Sequence, residues 1–328
     1  MAIDIFSIKP TVISRDLKGK YVLIYSLPKV GKTTLACQFP KNLLLAFEHG
    51  YNAISGAMVQ DITRWSDLKQ VLRQLKKPEA KELYNTITID TLSIAWDFCE
   101  QYICQQNGVQ SIGDIPWGAG YAAAKKEFEN CLREITQEGY GLVLIAHSEV
   151  KYESGPNDTE IETVRPALNK RAYDVANRLV DIIGYISIDW KEDGTSERWL
   201  YTRRTPTIMA GSRFRYMPTK IKFGYDELVD AIVSAIEQQE KQDGAKVVDS
   251  IETTAVQELS FKEVRERASA LWTELVKANE ENAQIILKKV EMIFGRKLKL
   301  SEITEDQTDL FNLVLLEMED LAKEQLGK

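Results

Sequence analysis

The stretch Ser26-Leu27-Pro28-Lys29-Val30-Gly31-Lys32-Thr33-Thr34 carries the residue types and spacing that bind phosphate. It follows the apolar run Tyr21–Tyr25 and precedes the helix-like Leu35-Ala36-Cys37-Gln38-Phe39. Between a strand and a helix, a loop of this kind wraps its backbone N–H groups around a polyphosphate. The opening turn of the helix adds partial positive charge there. Lys32 would then reach the β- and γ-phosphates of a nucleoside triphosphate, and the Thr33 hydroxyl would ligate Mg²⁺. Serine stands at position 26, where such loops usually carry glycine, and serine tolerates positive φ less readily. The implied ligands are ATP and Mg²⁺, with residues 26–34 as the contacts.

Three more positions fit that chemistry. Thr86-Ile87-Thr88-Ile89-Asp90-Thr91 reads as a buried strand ending in an acid, and a carboxylate beside a phosphate loop holds the Mg²⁺ shell. Asp90 and Thr33 are therefore the predicted metal pair. Thr91 follows Asp90 where a second acid is absent, so a carboxylate that aligns attacking water must come from another strand. Glu48, after Leu43–Phe47, sits at a strand C-terminus, the edge where open α/β sheets bind ligands; the alternative is a surface acid capping the turn. His49 reads as a turn residue. His147 ends the apolar run Gly141–Ala146, where its imidazole can bond a γ-phosphate and signal to the next loop, or simply satisfy a strand end.

The surrounding pattern must hold these residues on one edge. Over about 240 residues strand-like and helix-like segments alternate, which predicts an α/β fold with a mostly parallel sheet flanked by helices. Further strands are expected at Ile182–Ile188, Arg198–Thr202 and Ile221–Phe223, with a hairpin turn at Lys191-Glu192-Asp193-Gly194-Thr195. Helices are expected at Trp65–Leu75, Leu92–Gln106, Ala119–Thr136, Lys170–Val180 and Tyr225–Glu240. Residues 241–258 read as a linker. Beyond it, Phe261–Ala278, Asn282–Phe294 and Gln307–Leu326 form a helical module at 259–328, suited either to docking a protein or to packing on the main domain.

The net charge of −7 argues against a salt-driven nucleic-acid binder, while leaving room for a local groove in an oligomer. No apolar run long enough for a membrane span and no secretory leader are read, and Cys37, Cys99, Cys104 and Cys131 lack metal spacing. A reduced, cytoplasmic setting is the expectation.

Glu48-His49, Asp90-Thr91 and His147, in this order behind the phosphate loop, resemble the RecA-like branch of P-loop ATPases. The resemblance is nearest to bacteriophage RecA-like ATPases of single-strand annealing and recombination, and covers about residues 15–225. The missing Asp-Glu pair at Asp90 argues against the AAA+ branch. The resemblance implies ATP hydrolysis and a head-to-tail homo-oligomer in which a basic residue reaches the neighbouring subunit's nucleotide. Thr207-Ile208-Met209-Ala210-Gly211-Ser212-Arg213-Phe214 looks like that finger, with Gly211 at its lysine position; Arg213 is the candidate, and Arg203 and Arg204 stand behind it. It also implies a single-stranded DNA-binding mobile loop at Glu149–Arg165, helped by Tyr152, Lys170 and Arg171, and a single-strand-binding protein as a possible companion. Within that segment acids outnumber bases. Two other functions remain open at this point: a nucleotide-switched assembly protein with little turnover, and a small-molecule kinase, for which no lid segment is visible.

Overall fold

The computed structural model describes residues 13–14, 20–154, 160–244, 247–248 and 259–326. The chain divides into two compact units, one of residues 10–255 and one that contains residues 256–328.

In the larger unit, β1 (Ile13–Ser14) precedes the central strand β2 (Tyr21–Ser26) and the short α1 (Lys32–Ala36). Then come β3 (Asn42–Ala46), β4 (Met58–Asp61), α2 (Trp65–Leu75), α3 (Pro78–Leu83), β5 (Thr86–Asp90) and α4 (Leu92–Gln106). After α5 (Ala119–Gln137) follow the long β6 (Gly141–Ser154), β7 (Glu160–Pro166), α6 (Lys170–Leu179), β8 (Ile182–Trp190), β9 (Ser196–Tyr201), β10 (Gly211–Ser212) and β11 (Lys220–Lys222). The unit ends with α7 (Tyr225–Asp243) and β12 (Val247–Val248), which pairs in parallel with β1.

The main sheet runs β11-β9-β8-β2-β6-β5-β3-β4. From β8 to β4 every neighbour is parallel, while β9 and β11 form an antiparallel extension. Parallel strands need crossovers, and helices cover both faces, so the inner strands are buried and largely apolar, with the Thr88 hydroxyl of β5 satisfied by the Asn42 side-chain oxygen of β3 at 2.6 Å. Alternation splits their side chains between two cores. Leu23, Tyr25, Leu45, Ile87, Ile89, Leu142 and Leu144 pack with Trp65, Leu68, Trp96, Phe128 and Val175 from α2, α4, α5 and α6. On the other face Val22, Ile24, Val143, Ile145 and Ile182 meet Leu35 from α1 and Leu228, Ile232 and Ile236 from α7. The fold is thus the α/β arrangement of a RecA-like P-loop core.

Two expectations change. The segment 149–165 is not a loop throughout: β6 continues past the sheet and folds back as β7, pairing from Ser148↔Pro166 to Ser154↔Glu160. β7 in turn is tied down, since the Val164 N–H donates to the Thr207 carbonyl and the Met209 N–H to the Val164 carbonyl. Residues 155–159, which hold the Gly155-Pro156-Asn157-Asp158 turn, lie outside the described residues. In the expected linker, residues 241–243 belong to α7 and Val247–Val248 to β12, while 249–258 lie outside the described residues.

The smaller unit contains α8 (Phe261–Ala278), α9 (Glu281–Phe294) and α10 (Thr308–Leu326). Ser260 starts α8 with a reciprocal capping box to Glu263. The three helices bury their own core, including Val264, Leu275, Ile286, Val290, Phe311, Val314 and Met318.

Candidate nucleotide site

The site forms where β2, β5 and β3 end beside His147, the point at which β6 leaves the sheet and runs on towards β7. Ser26 pairs with His147, Asp90 with Ile145, and Ala46 with Asp90 across the sheet. This register puts the loop after β2, the acid ending β5, the turn after β3 and His147 on one edge.

Within the loop, Ser26 is fully buried and belongs to β2. Its backbone is not among the positive-φ positions, so serine there costs no strain. The left-handed conformation falls instead on Lys29 (φ 64°) and Gly31 (φ 112°). Glycine is needed at Gly31 because an L side chain rarely adopts that angle. The Ser26 hydroxyl donates to the Leu27 carbonyl at 2.8 Å. Lys32 is 6% exposed and folds back over the loop, donating to the Leu27 carbonyl at 2.9 Å and to the Ser26 carbonyl and hydroxyl at 3.3 Å. Leu27, Pro28, Lys29 and Thr34 are exposed around it, and Val30 is buried in the core. Gly31 caps α1 with no side-chain acceptor, so the first amides of that helix face the loop without a capping oxygen.

The Thr33 hydroxyl donates to the Asp90 carboxylate at 2.6 Å. Asp90 is 2% exposed. Burial pushes its carboxyl above the usual range; the Thr33 hydrogen bond opposes this, the nearby Glu48 carboxylate reinforces it, and Lys32 and His147 oppose it. For Lys32 burial lowers the ammonium pKa, against the pull of Asp90 and Glu48. The five side chains therefore share one electrostatic environment. The Asp90–Thr91 peptide is cis, and the Asp90 carbonyl accepts the Phe47 and Glu48 N–H groups at 2.7 and 3.3 Å. These two hydrogen bonds place Glu48 beside Asp90. His147 Nε2 lies 3.5 Å from Glu48 Oε1, and its buried Nδ1 has no partner among the described residues. The carboxylate and the hydroxyl are hard oxygen donors, which Mg²⁺ prefers. A divalent cation would offset two carboxylates that share one buried lysine. The residues present therefore fit Mg²⁺ and a nucleoside triphosphate. Among the described residues there is no group of three or more His, Cys, Asp or Glu side chains that could hold a metal ion; Thr33 and Asp90 would hold Mg²⁺ together with oxygens of the nucleotide and water.

The finger candidates lie apart from this edge. Arg213 stands beside Ile182, at the start of β8 and so at the opposite end of the sheet, and pairs with Asp181 at 3.1 Å. Arg203 donates to the Met217 carbonyl at 2.8 Å and to the Phe214 and Arg215 carbonyls. Arg204 is exposed. The arginine that does touch the phosphate loop is Arg198, whose guanidinium donates to the Val30 carbonyl at 3.0 Å. No motif flags it, because the contact joins residues 168 positions apart. Trp117 is a second residue that sequence reasoning missed: it is fully exposed on a left-handed turn at φ 61°, between α4 and α5.

Residues 18–214 match a protein family described as "AAA domain". That description does not carry the exclusion of the AAA+ branch argued from Thr91. Over 336 aligned positions the chain is 29% identical to the SPbeta prophage-derived uncharacterized protein YorG of Bacillus subtilis (strain 168), covering 99% of this chain and all of that one. A solved structure, the flagellar accessory protein FlaH of Methanocaldococcus jannaschii, overlaps 63% of this chain and 85% of its own at 10% identity and a TM-score of 0.36. The family match spans the phosphate loop, the Asp90 strand and the His147 strand, and on that ground the chain belongs to the AAA-domain family of P-loop ATPases.

Proposed function

We propose that the protein hydrolyses Mg²⁺-ATP and acts on single-stranded DNA in phage-type recombination or annealing. The observation that carries the enzymatic half is the Thr33–Asp90 hydrogen bond of 2.6 Å, which joins the loop hydroxyl to the acid of a strand two places away. Lys32 and the loop amides hold the phosphates, and Thr33 and Asp90 hold the ion that screens their charge. Glu48 aligns water, and His147, beside it, contacts the γ-phosphate and passes its presence to the β6–β7 hairpin. That last step has a direct route, because the His147 carbonyl accepts the Ala167 N–H at 2.8 Å just past β7. Arg213 of a neighbouring copy stabilises the γ-phosphate after leaving Asp181.

The DNA half rests on different features. Tyr152, on the extended hairpin, is 68% exposed, and Trp117 projects fully into solvent. Exposed aromatic faces stack single-stranded bases without regard to sequence. Glu149, one of the five acids of residues 149–165, is bound to Arg165 at 2.8 Å. The relative from a Bacillus prophage supports a phage setting.

A second reading, a nucleotide-switched assembly protein with negligible turnover, draws on the acids of the same hairpin. Steady-state ATP turnover with and without single-stranded DNA separates them. Stimulation by DNA is expected; nucleotide binding with no turnover in either condition would favour the switch.

A further inference from the structure

Val30 sits between two left-handed residues, Lys29 and Gly31, at the apex of the phosphate loop. Its side chain is buried, 5% exposed, in the core that α7 covers. Its carbonyl is held from outside the loop. Arg198, on β9 of the antiparallel extension, donates to it from Nη1 at 3.0 Å. The guanidinium lies 4.4 Å from the centre of the Phe223 ring, and the Phe223 N–H donates to the Arg198 carbonyl at 3.1 Å, so backbone and side chain are both fixed. A Cβ on Gly31 would come within 2.8 Å of that same Nη1 and 3.4 Å of the Phe223 ring. Gly31 is thus required twice, by its backbone angle and by the platform pressed against it.

In a trans peptide the C=O and the following N–H point in opposite directions. Holding the Val30 carbonyl on Arg198 therefore turns the Gly31 N–H to the far side of the peptide, away from the platform. We propose that Arg198 is a positioning residue for nucleotide binding, which locks the Val30–Gly31 peptide so that the Gly31 amide is presented to the β-phosphate. The inference rests on reading residues 26–34 as a nucleotide loop. It adds a role for the antiparallel extension, which becomes the outer support of the loop, and for Phe223, which keeps the guanidinium flat.

An amide presented to the β-phosphate serves ground state and transition state alike, so its loss raises KM and leaves kcat. The test is calorimetric titration of MgADP into the full-length wild type, Arg198→Ala, Arg198→Lys and Phe223→Leu, with steady-state ATP kinetics on each and circular dichroism as a check of folding. Arg198→Ala is expected to weaken MgADP binding by about tenfold or more. KM for ATP should rise in parallel and kcat stay within about twofold. Arg198→Lys should fall between, since an ammonium can bond the carbonyl but cannot lie flat on the ring. Phe223→Leu should weaken binding severalfold, and it carries the test if Arg198→Ala fails to fold. Equal affinity across the variants would overturn the inference. So would a fall in kcat with Kd and KM unchanged, which would assign Arg198 to the transition state. A wild type that does not bind MgADP would remove the loop assignment itself, a result distinct from equal binding by all.

Discussion

At the residue scale, the site is a balance of buried charge. Asp90 is buried at a strand end with Glu48 close by and Lys32 as the near cation, and burial raises its pKa. A carboxyl whose folded pKa lies above its unfolded value of 3.8 favours the folded state most below that value, and loses this contribution as pH rises through the raised one. Near pH 8 the ionised Asp90 is therefore a cost to the free protein, one that a bound Mg²⁺ would offset. Asp90→Asn keeps an acceptor for the Thr33 hydroxyl and removes the charge. Its melting temperature should be at or above wild type at pH 8, with the advantage shrinking as the pH approaches 4, while turnover falls by about 100-fold or more. Thermal melts across pH and an ATPase assay check both halves; a variant less stable than wild type at pH 8 would contradict the charge account. For DNA, Trp117→Ala should lower single-stranded DNA affinity about tenfold, the scale of one stacked base, and leave basal turnover unchanged. Equal affinity would remove Trp117 from the DNA surface. At this scale the P-loop of the family was legible because its signature is local: glycine, lysine and hydroxyl adjoin in sequence. Arg198 was not, since only a folded sheet brings β9 to the loop.

At the element scale, hydrophobic period placed most segments. α2, α4 and α8 coincide with the helices read from the sequence because their buried residues recur at helical spacing; of the three only α8 has a side-chain cap at its start, Ser260. β2 and the start of β6 stood out as continuous apolar runs, the mark of strands buried on both faces, and β5 as a run of β-branched Thr and Ile ending in an acid. β7 was read as part of a loop because its pattern is polar and a Gly-Pro pair precedes it; pairing with β6 supplies what composition does not. β4 is a short edge strand with exposed Met58, Gln60 and Asp61, and it carried no period to find. The hairpin is fastened to the core by Tyr25 of β2, whose hydroxyl lies 2.7 Å from the Met209 carbonyl and 3.1 Å from that of Val164. Tyr25→Phe leaves those carbonyls without this donor and should cost about 1–2 kcal/mol, measured by urea unfolding. No loss of stability would mean that the anchor is redundant.

At the scale of the whole molecule, the two units have separate cores. Phe311 is 1% exposed in the helical unit, and Phe311→Ala should destabilise that unit by about 3–5 kcal/mol. Nucleotide affinity should be untouched, with a shifted helical melting step as the sign; a parallel loss of nucleotide binding would tie the units together energetically. Among the described residues no helix is long and apolar enough to cross a membrane. The strand order was beyond the sequence, because it is set by register between segments far apart. It is this order that inserts β6, which carries His147, between the loop strand and the Asp90 strand.

The claim beneath all of this is that Lys32 and its loop grip a nucleotide's phosphates. Titration of MgATP into wild type and Lys32→Ala, followed by turnover assays on both, tests it most directly. Saturable one-to-one binding by the wild type, weakened by about 100-fold or more in Lys32→Ala with turnover abolished, is the expected result. Equal binding and unchanged hydrolysis in the two proteins would contradict it.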